Sequence, residues 1–401
     1  MSAVLSLPAE AERRVVDNLD VEALQQLAAD LVAAGGENPG STEAATVAVL
    51  RAACEQHGFT VEVTDVAPGR ANLTATLAGG SGPGLLFLGH SDVVPAGDGW
   101  RTDPFEPVVR DGRLFGRGSA DMKGGLASVV LAMSAINRSD VALRGPVQLV
   151  CTVDEEDLGF GIRAYAPTAP RGVFAACVVA EPTDLNTVVG CRGDSYLTLA
   201  VSGAAAHSGR PDDGRNAIAA AARVLELVRA DHDALRLAPD PLLGTGTWSI
   251  GTITGGTGTS IVAAECTVTL DRRLMPDEDA DLIADRLRAQ IGATGLEDDG
   301  FVIDLAIEME MPGFRTDAEH PLVVEAVGAI ADAGGRSEIT GWTAACDGGF
   351  IARDVGVPCI VLGPGGLNDQ AHQANESVGL DELRVAALAY ALLALRMVGE
   401  R

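Results

Sequence analysis

Apolar runs in this chain end repeatedly in imidazoles and carboxylates. Gly84-Leu85-Leu86-Phe87-Leu88 leads into Gly89-His90-Ser91-Asp92, and Val147 to Val153 ends at Asp154-Glu155-Glu156. Ala175 to Ala180 stops at Glu181, and Val357 to Leu362 breaks at Gly363-Pro364-Gly365-Gly366 before reaching His372. Two neutral imidazoles, His90 and His372, and three carboxylates, Asp121, Glu156 and Glu181, suit two divalent ions, with Asp121 as the bridge. Zinc leads because it takes both nitrogen and oxygen ligands, with cobalt and manganese as the alternatives. Charge favours two ions over one: two divalent cations exceed three carboxylates by a single charge, which one hydroxide cancels. Without metal, the crowded carboxylates would raise one another's pKa.

Hydrolysis also needs a group to take a proton from water. Glu155 adjoins the ligand Glu156 but projects differently, which leaves it to act as general base. Asp92 follows His90 by two residues, so on an extended chain both share a face, and Asp92 can accept the other imidazole N–H. A two-ion site with an adjacent glutamate is equipment for hydrolysis, and amide bonds are an obvious target.

The elements that must hold these residues read as α/β. Short continuous apolar runs are expected of parallel strands buried on both faces. In open α/β sheets ligands gather at the carboxyl ends of such strands. Helical spacing covers Leu19 to Ala34, Thr42 to His57 (capped by Ser41), Lys123 to Asn137 and Pro321 to Ala333. From about Cys191 the order changes. Strand, helix, two strands, helix and strand follow at Ser195–Val201, Asn216–Arg229, Thr247–Ile253, Ile261–Leu270, Asp279–Ile291 and Phe301–Ile307. That βαββαβ order is ferredoxin-like. It predicts a smaller domain, 192–310, inserted between catalytic parts 1–191 and 311–401.

Composition narrows the function classes. The 401 residues are 47% hydrophobic and only 4% aromatic, a folded composition whose core is aliphatic. A net charge of −27 argues against nucleic-acid and anionic-membrane partners. The acidic excess also fits a halophile-like surface. Lys123 is the only lysine. Seven cysteines without paired spacing point to a reducing cytosol. The beginning of the chain lacks the basic and apolar regions of a signal peptide, and no stretch is long enough to cross a bilayer. A soluble cytoplasmic protein is expected. Gly116 to Gly125 is glycine-rich but lacks the phosphate-loop signature. His57, His232 and His320 read as surface residues.

Five segments together resemble the M20 metallopeptidase and deacylase family, the acetylornithine deacetylase and succinyl-diaminopimelate desuccinylase type. They are Gly89 to Pro95, Gly116 to Gly125, Asp154 to Glu156, Glu181 to Thr183 and Ala371 to Glu376. The resemblance implies a zinc-exopeptidase-like catalytic domain with a lid and dimerisation insert. One ion would lie on His90 and Glu181, the other on Glu156 and His372, with Asp121 bridging, Glu155 as base and a cis peptide after Asp121. Gly203 to Pro211 resembles the lid histidine motif, so His207 would reach a neighbouring subunit's site and hold the oxyanion, which implies a homodimer. Asp271 to Pro276 resembles a strand end whose arginine, here Arg273, grips a substrate carboxylate; pairing with Asp271 or Asp277 is the alternative. Ser260 stands where relatives often carry asparagine, and the arginine often found two residues after Asp347 is replaced by Gly349. The implied activity is cleavage of N-acyl amino acids, with dipeptide or carboxyl-terminal peptide cleavage as the alternative. A non-catalytic metal-stabilised binding protein is less favoured, because the base and every ligand are present.

Overall fold

The computed structural model describes residues 9–400. The first residues of the stretch read for a targeting signal therefore lie outside the described residues. The chain divides into two units. The first comprises residues up to Gly190, Arg315–Thr340 and Phe350 onward; the second comprises Cys191–Phe314 and Gly341–Gly349. The segment Gly341–Gly349, assigned to the catalytic part from sequence, thus clusters with the second unit.

The first unit is built on a mixed nine-stranded sheet. Its centre is a run of four parallel strands, in the order Val147–Thr152, Gly84–His90, Phe174–Val179 and Cys359–Val361. These are the four apolar runs expected from sequence. They are buried along nearly their whole length, as parallel strands covered on both faces must be. Antiparallel strands flank them, with Arg70–Leu77 and Thr60–Ala67 on one side and Thr187–Cys191 on the other. A separate small sheet joins Val108–Arg110, Arg113–Phe115 and Ser377–Gly379.

Helices Gly124–Asn137 and Leu380–Val398 pack on each other, and both are buried over most of their circumference. Leu380–Val398 carries apolar residues on every face, so no amphipathic stripe announced it in the sequence. The Gly124–Asn137 helix starts against the strand that leads to Glu181. A Cβ on Gly125 would stand 2.0 Å from the Ala180 carbonyl oxygen, so only glycine permits this approach. The expected cap Ser41 does not serve its helix. That helix runs Ala44–Gln56 behind Glu43, whose carboxylate makes no cap bond and instead faces Arg70.

The second unit realises the βαββαβ order. Strands Gly193–Ser202, Thr247–Gly255, Glu265–Leu274 and Val302–Met311 form one antiparallel sheet in spatial order second, third, first, fourth. Helices Ala217–Leu235 and Ala280–Gly292 cover one face and close an aliphatic core around Val224, Val268 and Leu287. Asn216 and Asp279 cap these helices through their side chains. Among the described residues no helix is long and apolar enough to cross a membrane.

Candidate metal centre

The parallel quartet delivers His90, Glu156, Glu181 and His372 to one edge because each follows a strand of the same direction. Asp121 reaches them from the turn that opens the Gly124–Asn137 helix, and the Asp121–Met122 peptide is cis, as the resemblance implied. His90 Nε2 lies 3.3 Å from Asp121 Oδ1 and 3.3 Å from Glu181 Oε1. His372 Nε2 lies 3.3 Å from Asp121 Oδ2 and 3.1 Å from Glu156 Oε2. The two oxygens of one carboxylate therefore face two separate imidazoles. A carboxylate oxygen of Glu155 lies within 4.8 Å of donor atoms of His90 and Glu181.

These distances fit metal ions. Ligand atoms about 2.0 Å from a tetrahedral ion stand roughly 3.3 Å apart from each other, close to the observed separations. Glu156 Oε1 supports the same reading, being buried without a hydrogen-bond partner. A buried, unpaired carboxylate oxygen is costly unless a cation completes it.

The electrostatics agree. His372 is pushed up to about 10 by hydrogen bonds to Asp121 and Glu156. Burial alone would lower His90, but the charge of Glu181 and contacts with Asp121 and Asp92 outweigh it and raise the imidazole well above its ordinary value. Burial and the charge of Asp121 push Glu181 up to about 8 and raise Glu156 as well. Burial would also raise Asp121, yet the hydrogen bonds from His372 and His90 hold it below the ordinary carboxylate range. Without metal, protons do the work that cations would do better.

Asp92 faces the His90 ring as expected and does more besides. His90 Nδ1 lies 3.0 Å from the Asp92 backbone oxygen and 3.4 Å from Oδ1, so the main chain is the nearer partner of the ring. The carboxylate also accepts from the backbone N–H groups of Glu155, at 3.2 Å, and Glu156, at 3.1 Å, and from Asn38 Nδ2 at 2.9 Å.

Around this lies a buried polar layer that the sequence reading missed. Asn38 also donates to Asp154 Oδ1 at 2.9 Å. Arg70 forks onto Glu43 and reaches Asp154 at 2.6 Å. Asp154 itself takes the N–H groups of Leu158 and Phe160, which shapes the turn bearing Glu155. Lys123, fully buried, donates to the Gly35 carbonyl, and burial lowers it to about 7. Glu376 accepts from Gly118, Ala120, Asp121 and Arg117. None of these residues is a metal donor by spacing, and only knowledge of the fold reveals them.

The remaining candidates belong to the second unit. His207 is exposed, and its Nδ1 accepts from Gly209 N at 3.0 Å. The proton of the neutral ring then sits on Nε2 and makes that atom a donor. His207 bridges to Ile261, and Ser208 N donates to the Ser260 carbonyl at 3.0 Å, so the His207 and Ser260 loops lie together. Arg273 Nε and Nη2 fork onto Asp271 at 3.1 and 3.0 Å, and Nη1 meets Asp194 at 3.1 Å. The fork assigned to a substrate carboxylate is thus occupied from within the chain. At Gly349 a Cβ would fall 1.6 Å from the Pro312 carbonyl oxygen, so no side chain fits there.

Comparison with known proteins agrees with this geometry. The family described as peptidase family M20/M25/M40 matches residues 86–396. The chain is 34% identical to a succinyl-diaminopimelate desuccinylase of Aromatoleum aromaticum, over 83% of this chain and 86% of that protein. It is 31% identical to an acetylornithine deacetylase of Vibrio campbellii, over 81% and 84%. The solved aminopeptidase PepT of Bacillus cereus shares the fold with a TM-score of 0.76 at 24% identity, covering 94% of this chain and 99% of that one. An M20 family metallo-carboxypeptidase of Sulfolobus solfataricus superposes with a TM-score of 0.75 at 18% identity, over 94% and 99%. The chain belongs to peptidase family M20/M25/M40 and is a metal-dependent hydrolase of amide bonds.

Proposed function

We propose that the chain is a two-ion deacylase that removes the acyl group from N-acyl amino acids. The observation carrying this is the division of Asp121, whose two oxygens face His90 and His372 separately. His90 and Glu181 would hold one ion, Glu156 and His372 the other, with zinc preferred over cobalt and manganese. Bound there, the ions would polarise the amide carbonyl and make water acidic enough to attack.

The chain's own residues supply the proton chemistry. Glu155 takes the proton from the attacking water at its carboxylate and returns it to the leaving amine nitrogen. Its backbone N–H is tied to Asp92, so the main chain that carries the base cannot drift. In a homodimer assembled through the second unit, the partner subunit's His207 would donate from Nε2 to the oxyanion. Arg273 would grip a substrate carboxylate only by exchanging it for Asp271, and Ser260 of the partner subunit, whose loop lies beside His207 of the partner subunit, would approach the substrate with it. The curated relatives named above are deacylases, which favours this reading over dipeptide cleavage. The close backbone packing at Gly349 leaves no room for a second cationic side chain there, which favours a neutral acyl group over a diacid one.

The test is turnover of a panel of N-acetyl, N-succinyl and dipeptide substrates by metal-reconstituted enzyme. N-acetyl substrates should lead, and Glu155→Gln should bind two ions while losing at least about 10²-fold in kcat. A Glu155→Gln enzyme with two ions and undiminished turnover sinks the mechanism. Preference for dipeptides moves the assignment to the peptidase side of the family.

A further inference from the structure

The glycine-rich loop Gly116 to Asp121 binds an anion after all, and the anion is part of the same chain. Glu376 is buried, and the loop curls around it. Its Oε2 accepts from Gly118 N at 2.9 Å and from Arg117 Nη1 at 2.7 Å. Its Oε1 accepts from Ala120 N at 2.9 Å and from Asp121 N at 3.0 Å. Gly116 N donates to its backbone carbonyl at 3.0 Å. Gly118, at φ +85°, supplies the left-handed turn that lets successive N–H groups point inward. Four donors on one carboxylate leave it a single orientation.

Glu376 lies four residues after His372, and Arg117 also donates to the Gln373 carbonyl at 3.3 Å. One buried carboxylate thus joins the turn that carries Asp121 to the turn that carries His372. The second turn is irregular, with His372 and Asn375 both at positive φ, 62° and 64°, a region that non-glycine residues enter uncommonly, so no strand or helix of its own holds it. His90 and Glu181, in contrast, continue directly from buried parallel strands and are held by the sheet.

We propose that Glu376 is a positioning residue that sets the gap between Asp121 and His372, and hence the affinity of the ion between Glu156 and His372. This rests on the two-ion reading above. The ion between His90 and Glu181 shares the Asp121 bridge but takes its other two ligands from strand ends that Glu376 does not touch, so the two affinities should respond unequally. In Glu376→Gln one oxygen becomes an NH2 group that meets N–H donors head on, and the loop loses its fixed depth.

Stepwise zinc titration by chelator competition, on metal-free protein whose folding is checked by circular dichroism, tests this. Wild type should take up two ions. Glu376→Gln should weaken one step by roughly 10- to 100-fold and the other by less than about 3-fold, with kcat recovering at high zinc and KM unchanged. If Glu376→Gln fails to fold, Arg117→Lys, which keeps the charge but loses the planar guanidinium that reaches both Glu376 and the Gln373 carbonyl, should give the same one-sided loss at smaller size. A two-ion wild type whose folded variants lose nothing, or lose both steps equally, overturns the role of Glu376 alone. A wild type that takes up one ion overturns the two-ion reading and this assignment with it.

Discussion

The backbone N–H of Glu156 donates to the Asp92 carboxylate at 3.1 Å, so the residue next to the His90 ring also fixes where the opposite ligand begins. Asp92 thereby fixes the distance between two metal donors that are far apart in sequence. In Asp92→Asn one acceptor becomes a donor facing other donors. The variant should lose about 1–3 kcal/mol of stability for the unpaired buried group and about 10- to 100-fold in metal affinity. Urea unfolding and metal titration measure the two effects, and intact metal affinity would contradict this reading of Asp92.

Metal uptake should release protons. In the metal-free state both imidazoles are raised, His372 to about 10, and Glu181 stands at about 8, so at pH 7 all three hold protons that ions must displace. Protons and cations compete, so affinity should climb as pH rises from 6 toward 10. Calorimetric titration in buffers of different ionisation enthalpy reads the number released, expected between two and three. A value near zero would mean the donors are already deprotonated and poised.

Arg70 is the cation between Glu43 and Asp154, at 2.7 and 2.6 Å. Both carboxylates are fully buried, so Arg70→Met strands two charges in the interior. Breaking a buried pair from one side costs about 3–5 kcal/mol. The metal-free variant should show a correspondingly lower urea midpoint, and Arg70→Lys should recover part of the loss. An unchanged midpoint for Arg70→Met would show that the carboxylates shed their charge instead.

The dimer mechanism predicts complementation. His207→Ala and Glu155→Gln should each be nearly inactive alone while keeping their metal. Unfolded together and refolded as a mixture, they should recover about a quarter of wild-type turnover, since half the dimers carry one intact site. No recovery, with mixed dimers demonstrated by mass spectrometry, would place His207 in its own subunit's chemistry or outside it.

The central sheet was legible because strands buried on both faces must be apolar throughout, and three of the four end at or within four residues of a titratable side chain whose charge is costly to bury unpaired. The donors followed from residue type alone. Less visible was whatever depends on pairing across the fold. Leu380–Val398 is apolar on all faces, which hides helical periodicity. Glu43 looked like a residue inside a helix start until Arg70 came beside it from the neighbouring strand. The pairing of Arg273 with Asp271 was readable as the alternative to a substrate carboxylate, but the contact with Asp194, distant along the chain, was not. Asp92 was assigned to the imidazole by its two-residue spacing, yet its own carbonyl lies nearer that ring.

The four parallel strands carry a consequence for how the protein is made. The candidate ligands that follow them are His90, Glu156, Glu181 and His372, and the whole second unit is synthesised between the third and the last. A chain emerging from its N-terminus offers an ion His90, Asp121, Glu156 and Glu181 long before His372 exists. Until the strand Cys359–Val361 docks beside Phe174–Val179, an ion held by Asp121 and Glu156 would lack His372 and leave readily. Tight retention of the ion that His372 completes would therefore report that the latest strand has joined the earliest ones.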